Sequence, residues 1–143
     1  MYIIIQFFIF IMLSHAEPLY EKDIKNIVLN PSNYDKTIRP SQIVTINIDL
    51  IFKQIVNFDE KFQILTTSSY LYTDWIDNRL AWNFTQYPID YISVIANQLW
   101  LPDLYIINSA DADGFIKITA INLAIIKHDG TVILINGLNG NIF

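Results

Sequence analysis

Cysteine is absent from this chain, which excludes disulfides, zinc–thiolate centres, thiol nucleophiles and redox chemistry. Histidine is nearly absent: there are two, and His15 falls in the N-terminal leader, leaving His128 beside Gly130. One mature imidazole supports neither a His-based triad nor a histidine metal cluster. Basic residues are scarce as well, 9 Lys and Arg against 14 Asp and Glu, for a net charge of −5 and a pI near 4.7. A nucleic-acid partner would need a basic patch, so none is expected; an acidic surface suits cationic ligands better. Long apolar runs are confined to the start. Tyr2 to Leu13 is followed by Ser14-His15-Ala16, with small residues at −3 and −1 of a cleavage after Ala16. That run falls short of the roughly 20 residues that span a bilayer and predicts a secretory signal peptide over residues 1–16. The later apolar stretch Ile116–Ile126 is interrupted by Lys117, Thr119 and Asn122, so the mature product is expected to be exported.

What is present is isoleucine, spread along the whole chain in two distinct periods. Tyr20, Ile24, Ile27 and Val28 recur at helical spacing opposite Glu21, Lys22, Asp23 and Lys25. They predict one amphipathic helix over 18–29, stopped by Asn30-Pro31-Ser32-Asn33, within a helix-and-linker segment 17–38. From residue 39 the period is two. Val44, Ile46, Ile48, Leu50 and Phe52 alternate with polar neighbours, as in a strand with one buried face. Asn57-Phe58-Asp59-Glu60 reads as a turn, and a second strand runs from Phe62 to Tyr72. Further strands are expected at 91–95, 104–107, 115–126 and 131–135. Lys127-His128-Asp129-Gly130 signals a hairpin with an Asp-Gly two-residue turn. The fold class expected is all-β with one N-terminal helix, an incomplete immunoglobulin-like antiparallel β-sandwich over 39–143.

The three tryptophans lie in two short blocks, Trp75-x-Asp77-x-x-Leu80-x-Trp82-Asn83 and Leu99-Trp100-x-Pro102-Asp103-Leu104. Such clustering points to one packed core, with Trp75, Asp77, Trp82, Trp100, Pro102 and Asp103 as structural residues, Asp103 taking hydrogen bonds from loop backbone. Arg39-Pro40, Phe58-Asp59-Glu60-Lys61, Leu65-Thr66-Thr67, Asn108-Ser109-Ala110-Asp111 and Gly130 complete an ordered set. From Tyr34 to Gly130 that set resembles the ligand-binding domain of pentameric neurotransmitter-gated (Cys-loop) channels, in the nicotinic and acetylcholine-binding-protein branch.

The resemblance implies an extracellular sandwich, pentameric assembly with homologous subunits, and a small amine neurotransmitter, acetylcholine-like, bound between subunits by an aromatic box. On the complementary face it puts Tyr70, where the family commonly has Trp; it also counts Ile133 and Ile135, on a later strand that matches the family, among the ligand-binding positions. A strand tyrosine packing on its neighbour is the other reading of Tyr70. On the principal face Ile107 replaces the usual Tyr, with Tyr105 on the same strand face as a substitute. Asp59 and Glu60 match the turn that couples binding to gating. Asn136-Gly137 replaces the family's proline-rich turn. The disulfide loop, later principal-face segments and pore are expected beyond Phe143, with any membrane contact through them. Two other readings stay open: a secreted amine-binding protein, and an assembly-modulating subunit offering only a complementary face.

Asn83-Phe84-Thr85 is a glycosylation sequon, whereas Asn30-Pro31-Ser32 is blocked by proline. Asp111-Ala112-Asp113-Gly114 resembles the start of a calcium loop, but Ala120 stands where the bidentate Glu belongs, so a turn is expected and no metal. No carboxylate spacing recommends glycosidase chemistry. Neither an enzyme nor a cofactor is expected.

Overall fold

The computed structural model describes residues 20–105, 109 and 122–142, with 139–142 as backbone only. The leader at 1–16, Ile107, the Asn108 turn apart from Ser109, and the Asp111–Gly114 segment lie outside the described residues. Residues 20–28 form the helix, α1. Ile24 and Val28, one turn apart, bury one side of it, and Glu21 pairs with Lys25 on the other at 2.7 Å. Ile27 departs from the expected stripe and is exposed, because Ile24 and Val28 alone face the core. Asn30 stops α1 through its own side chain, whose Oδ1 accepts from Ser32 N–H.

Five strands follow: β1 (Ile46–Asp59), β2 (Ile64–Ile76), β3 (Tyr91–Ile95), β4 (Leu123–Lys127) and β5 (Thr131–Ile142). They form one antiparallel sheet in the order β1-β2-β5-β4-β3. The architecture is antiparallel β with one short N-terminal helix, consistent with a β-sandwich fragment. Among the described residues, no helix is long and apolar enough to cross a membrane.

β1 is longer than its alternation suggests, for a physical reason. Its register against β2 slips between Phe52 and Gln54 and again between Ile55 and Asn57. Each slip is a β-bulge that inserts one residue and flips the parity of the side chains beyond it. Ile46, Ile48, Leu50 and Phe52 therefore share a face with Ile55, opposite Thr67, and with Phe58, opposite Leu65. A strict two-residue period cannot see past Phe52. The turn accordingly lies at 60–63 rather than 57–60, with Gln63 at φ 56° and Asp59 Oδ1 accepting from Phe62 N–H at 3.0 Å.

The β4–β5 connection also differs from a two-residue turn. Residues 128–130 separate the strands, and Gly130 alone takes a positive φ, +86°. This is the three-residue hairpin, which needs its left-handed residue last. Asp129 Oδ1 accepts from Thr131 N–H at 2.9 Å, and that bond holds the Asp129 carboxyl below the usual carboxylate range.

The inner sheet face carries the core. Trp75, Val132, Leu134, Ala124, Ile126, Ile92 and Val94 pack with Leu80, Trp82 and Leu99 under Ile24 and Val28. Each such large side chain contributes about 1.5–3 kcal/mol by burial. Trp100 meets Trp75 edge-on, 6.1 Å between ring centres. Toward the free edge the same face is bare: Ile48, Leu50, Phe52, Ile55 and Phe58 are each at least half exposed among the described residues. Among the described residues the expected burial of that β1 face is met only at its start, where Ile46 packs against the core opposite Trp75.

Candidate ligand-binding face

The outer face of the sheet brings together side chains from four strands. β2 presents Tyr70, Tyr72, Asp74 and Ile76 outward, since Ser69, Leu71, Thr73 and Trp75 point into the core. Strand pairing then places the neighbours. Tyr70 lies opposite Ile51 on β1 and Gly137 on β5, Tyr72 between Asp49 and Ile135, and Asp74 between Asn47 and Ile133. Ile125 of β4 stands opposite Ile133 on the far side. Paired residues in adjacent strands sit about 5 Å apart, so Tyr70, Tyr72, Ile133 and Ile135 form one continuous surface.

That surface is accessible. Tyr70 is 42% and Ile135 is 52% exposed. At Gly137, opposite the Tyr70 ring, a Cβ would meet no atom within 4 Å, so the flank of the ring is open. Lys53 Nζ stands over the ring, 5.6 Å from its centre. Asn47 Nδ2 donates to Asp74 Oδ2 at 2.8 Å, which ties β1 to β2 at the other end of the face. A cleft of about 350 Å³ opens there, lined by Pro40, Ile43, Asn47, Asp74 and Ile76; Tyr70 does not line it.

The sequence-predicted residues separate into groups. Tyr70, Ile133 and Ile135 come together on the outer face. Tyr105 is an exposed bridge residue outside the five strands, and Ile107 lies outside the described residues. Asp59 ends β1 and caps the turn that Glu60 begins. Tyr72, Asp49 and Lys53 were not singled out from sequence. Two-residue spacing was signal enough for all three, since alternation along β1 turns Asp49 and Lys53 to the same side as Ile51, opposite Tyr70.

The tryptophan blocks are scaffold. Trp75 is 1% exposed, and Trp82 donates its indole N–H to Ile89 O at 3.1 Å. The Trp75 indole N–H is buried without a hydrogen-bond partner among the described residues. Asp77 is fully buried and accepts twice from the Arg79 side chain, Nε to Oδ1 at 2.9 Å and a terminal nitrogen to Oδ2 at 2.7 Å, and once from its backbone N–H at 3.1 Å. Hydrogen bonding to Asp77 is the main cause that raises the Arg79 guanidinium above its usual pKa. The guanidinium lies 4.7 Å from the centre of the Tyr34 ring. The Tyr34 hydroxyl accepts from Trp100 N–H at 2.8 Å, and burial raises its pKa. Pro102 is buried. Asp103 is exposed, and most of the loop backbone expected to donate to it lies outside the described residues. Asn83 is exposed, its Oδ1 accepting from Thr85 N–H at 2.9 Å.

Residues 21–139 match the neurotransmitter-gated ion-channel ligand binding domain. The neuronal acetylcholine receptor subunit beta-4 of Gallus gallus is 35% identical over 117 residues, covering 78% of this chain and 24% of that protein. The Bos taurus beta-4 subunit is 32% identical over 117 residues, 78% of this chain and 23% of its own. The Gallus gallus beta-2 subunit is 31% identical over 121 residues, with the same coverage of 78% and 23%. The chain therefore spans about a quarter of the length of these relatives.

Proposed function

This chain belongs to the neurotransmitter-gated ion-channel ligand-binding domain family, in its nicotinic acetylcholine receptor-like branch, and from that premise we propose that its outer sheet face is the complementary half of an intersubunit ligand site. One observation carries the reading: Tyr70, Ile133 and Ile135, singled out separately in sequence, share one accessible surface across β2 and β5. An aromatic ring flanked by aliphatic side chains offers a wall against which a small amine packs. The other half of the site comes from a homologous subunit in a pentamer, on the extracellular side of the plasma membrane. Asp59 and Glu60, at the opposite end of β1, form the turn that hands a binding event to a channel. Residues 1–16 direct export, 17–38 cap the domain, and 39–143 supply its N-terminal strands.

The test is binding of a labelled acetylcholine-like amine to cells co-expressing this chain with a subunit that bears a principal face. Tyr70→Ala should weaken binding about tenfold, the usual cost of truncating a central aromatic anchor. Unchanged affinity, or binding no higher than that of the partner subunit alone, would refute the proposal.

A further inference from the structure

β1 ends the sheet, and among the described residues no strand pairs with its far side. Alternate N–H and C=O groups along its 14 residues therefore point away from β2 without a ladder partner there. Long native edges are commonly blunted by proline or by several charges. Here there is no proline, and apart from Asp59 at the end the charges are Asp49 and Lys53. Among the described residues neither of those side chains joins an ion pair within the chain. On the same stretch Ile48, Leu50, Ile51, Phe52, Ile55 and Val56 are each at least half exposed.

The geometry points to a second copy of this chain as the partner for that edge, β1 pairing antiparallel with β1 about a two-fold axis at Ile51. Residues 46–56 then face the same residues of the second copy in reverse order. Residues opposite one another across a ladder share a face. Asp49 accordingly meets the second copy's Lys53 on the outer face, and Lys53 meets its Asp49, while Leu50 and Phe52 meet on the inner face. Charge selects this register. An axis at Asp49 or at Lys53 would set like charges opposite, and an axis at Leu50 or Phe52 would leave both charges facing apolar or amide side chains. The six exposed side chains present roughly 600 Å² of apolar surface per copy. Bringing two copies together can remove roughly 1,000 Å² from water, the size a specific interface must clear. The contact is isologous, so it uses up both β1 edges and closes at two chains.

The test is sedimentation velocity on the full mature chain, secreted from eukaryotic cells, at micromolar concentrations. The native chain should equilibrate between monomer and dimer. Asp49→Lys and Lys53→Asp should each weaken the dimer about tenfold, since either one turns two symmetry-related attractions into repulsions. Asp49→Lys also lowers the net negative charge, which by itself favours association, so a weaker dimer there reports the pairing and not the overall field. The double variant carrying both exchanges should recover the native dimer, which also shows that the exchanged side chains suit the fold. Because the chain has no cysteine, Ile51→Cys introduces a single thiol and should cross-link to its own copy on oxidation, whereas Asn47→Cys, far from the axis, should not. A monomeric native chain, a dimer indifferent to both single exchanges, or one in which Asn47→Cys cross-links as readily as Ile51→Cys would overturn the proposal.

Discussion

Gly130→Ala is the substitution whose cost follows most directly from the geometry. Gly130 sits at φ +86°, and a methyl there would stand 2.7 Å from Asp77 O and 3.2 Å from Asp77 C. Both atoms are backbone, so no side chain can swing away. The left-handed conformation costs an L-residue about 1 kcal/mol on its own. Relieving the overlap moves the hairpin off the Asp77 segment and loosens two hydrogen bonds, Asp77 N to Gly130 O at 2.9 Å and Trp82 N to His128 O at 3.0 Å. At about 1 kcal/mol each the total reaches about 3 kcal/mol, or about 10 °C in melting temperature. Urea unfolding followed by tryptophan fluorescence reads this directly, since Trp75 and Trp82 are buried beside the contact. Gly137→Ala is the matched control: it adds the same methyl where no atom lies within 4 Å, and should change stability by less than about 0.5 kcal/mol. Equal unfolding midpoints for the two variants would refute the reasoning.

Arg79→Met should destabilise by about 2–3 kcal/mol in the same assay, because it strands the buried Asp77 carboxylate. Adding Asp77→Asn should recover part of the loss. Tyr34 is held protonated above its usual pKa of 10.0, so its contribution is complete below pH 10 and is lost as pH rises through the higher folded value. Tyr34→Phe should therefore flatten the alkaline fall in urea midpoints while costing the Trp100 N–H its acceptor at neutral pH. Asn83 is exposed and precedes Phe84-Thr85, so chain secreted from eukaryotic cells should lose mass on glycosidase treatment, and Asn83→Gln should abolish that shift.

Much of this molecule is written locally. The 3.6 and 2.0 residue periods located α1, β2 and the ordered start of β1, because hydrophobic spacing reports which face of an element meets a core. Asn30 announced the end of α1, and Asp129-Gly130 announced a hairpin, because both act within a few residues of themselves. The tryptophan blocks marked the core, and the family resemblance chose Tyr70, Ile133 and Ile135 as positions of the candidate face. Only the assembled sheet decided the rest. Two bulges kept Ile55 and Phe58 in line with Phe52, and a bulge is a property of two paired strands; the pairing of β1 with β2 likewise set Lys53 over Tyr70. Arg79 reached Tyr34 and Asp77 reached Gly130 across long stretches of chain. Periodicity is a property of one element, whereas register, bulges and cross-chain charge contacts exist only once a second element is present to define them.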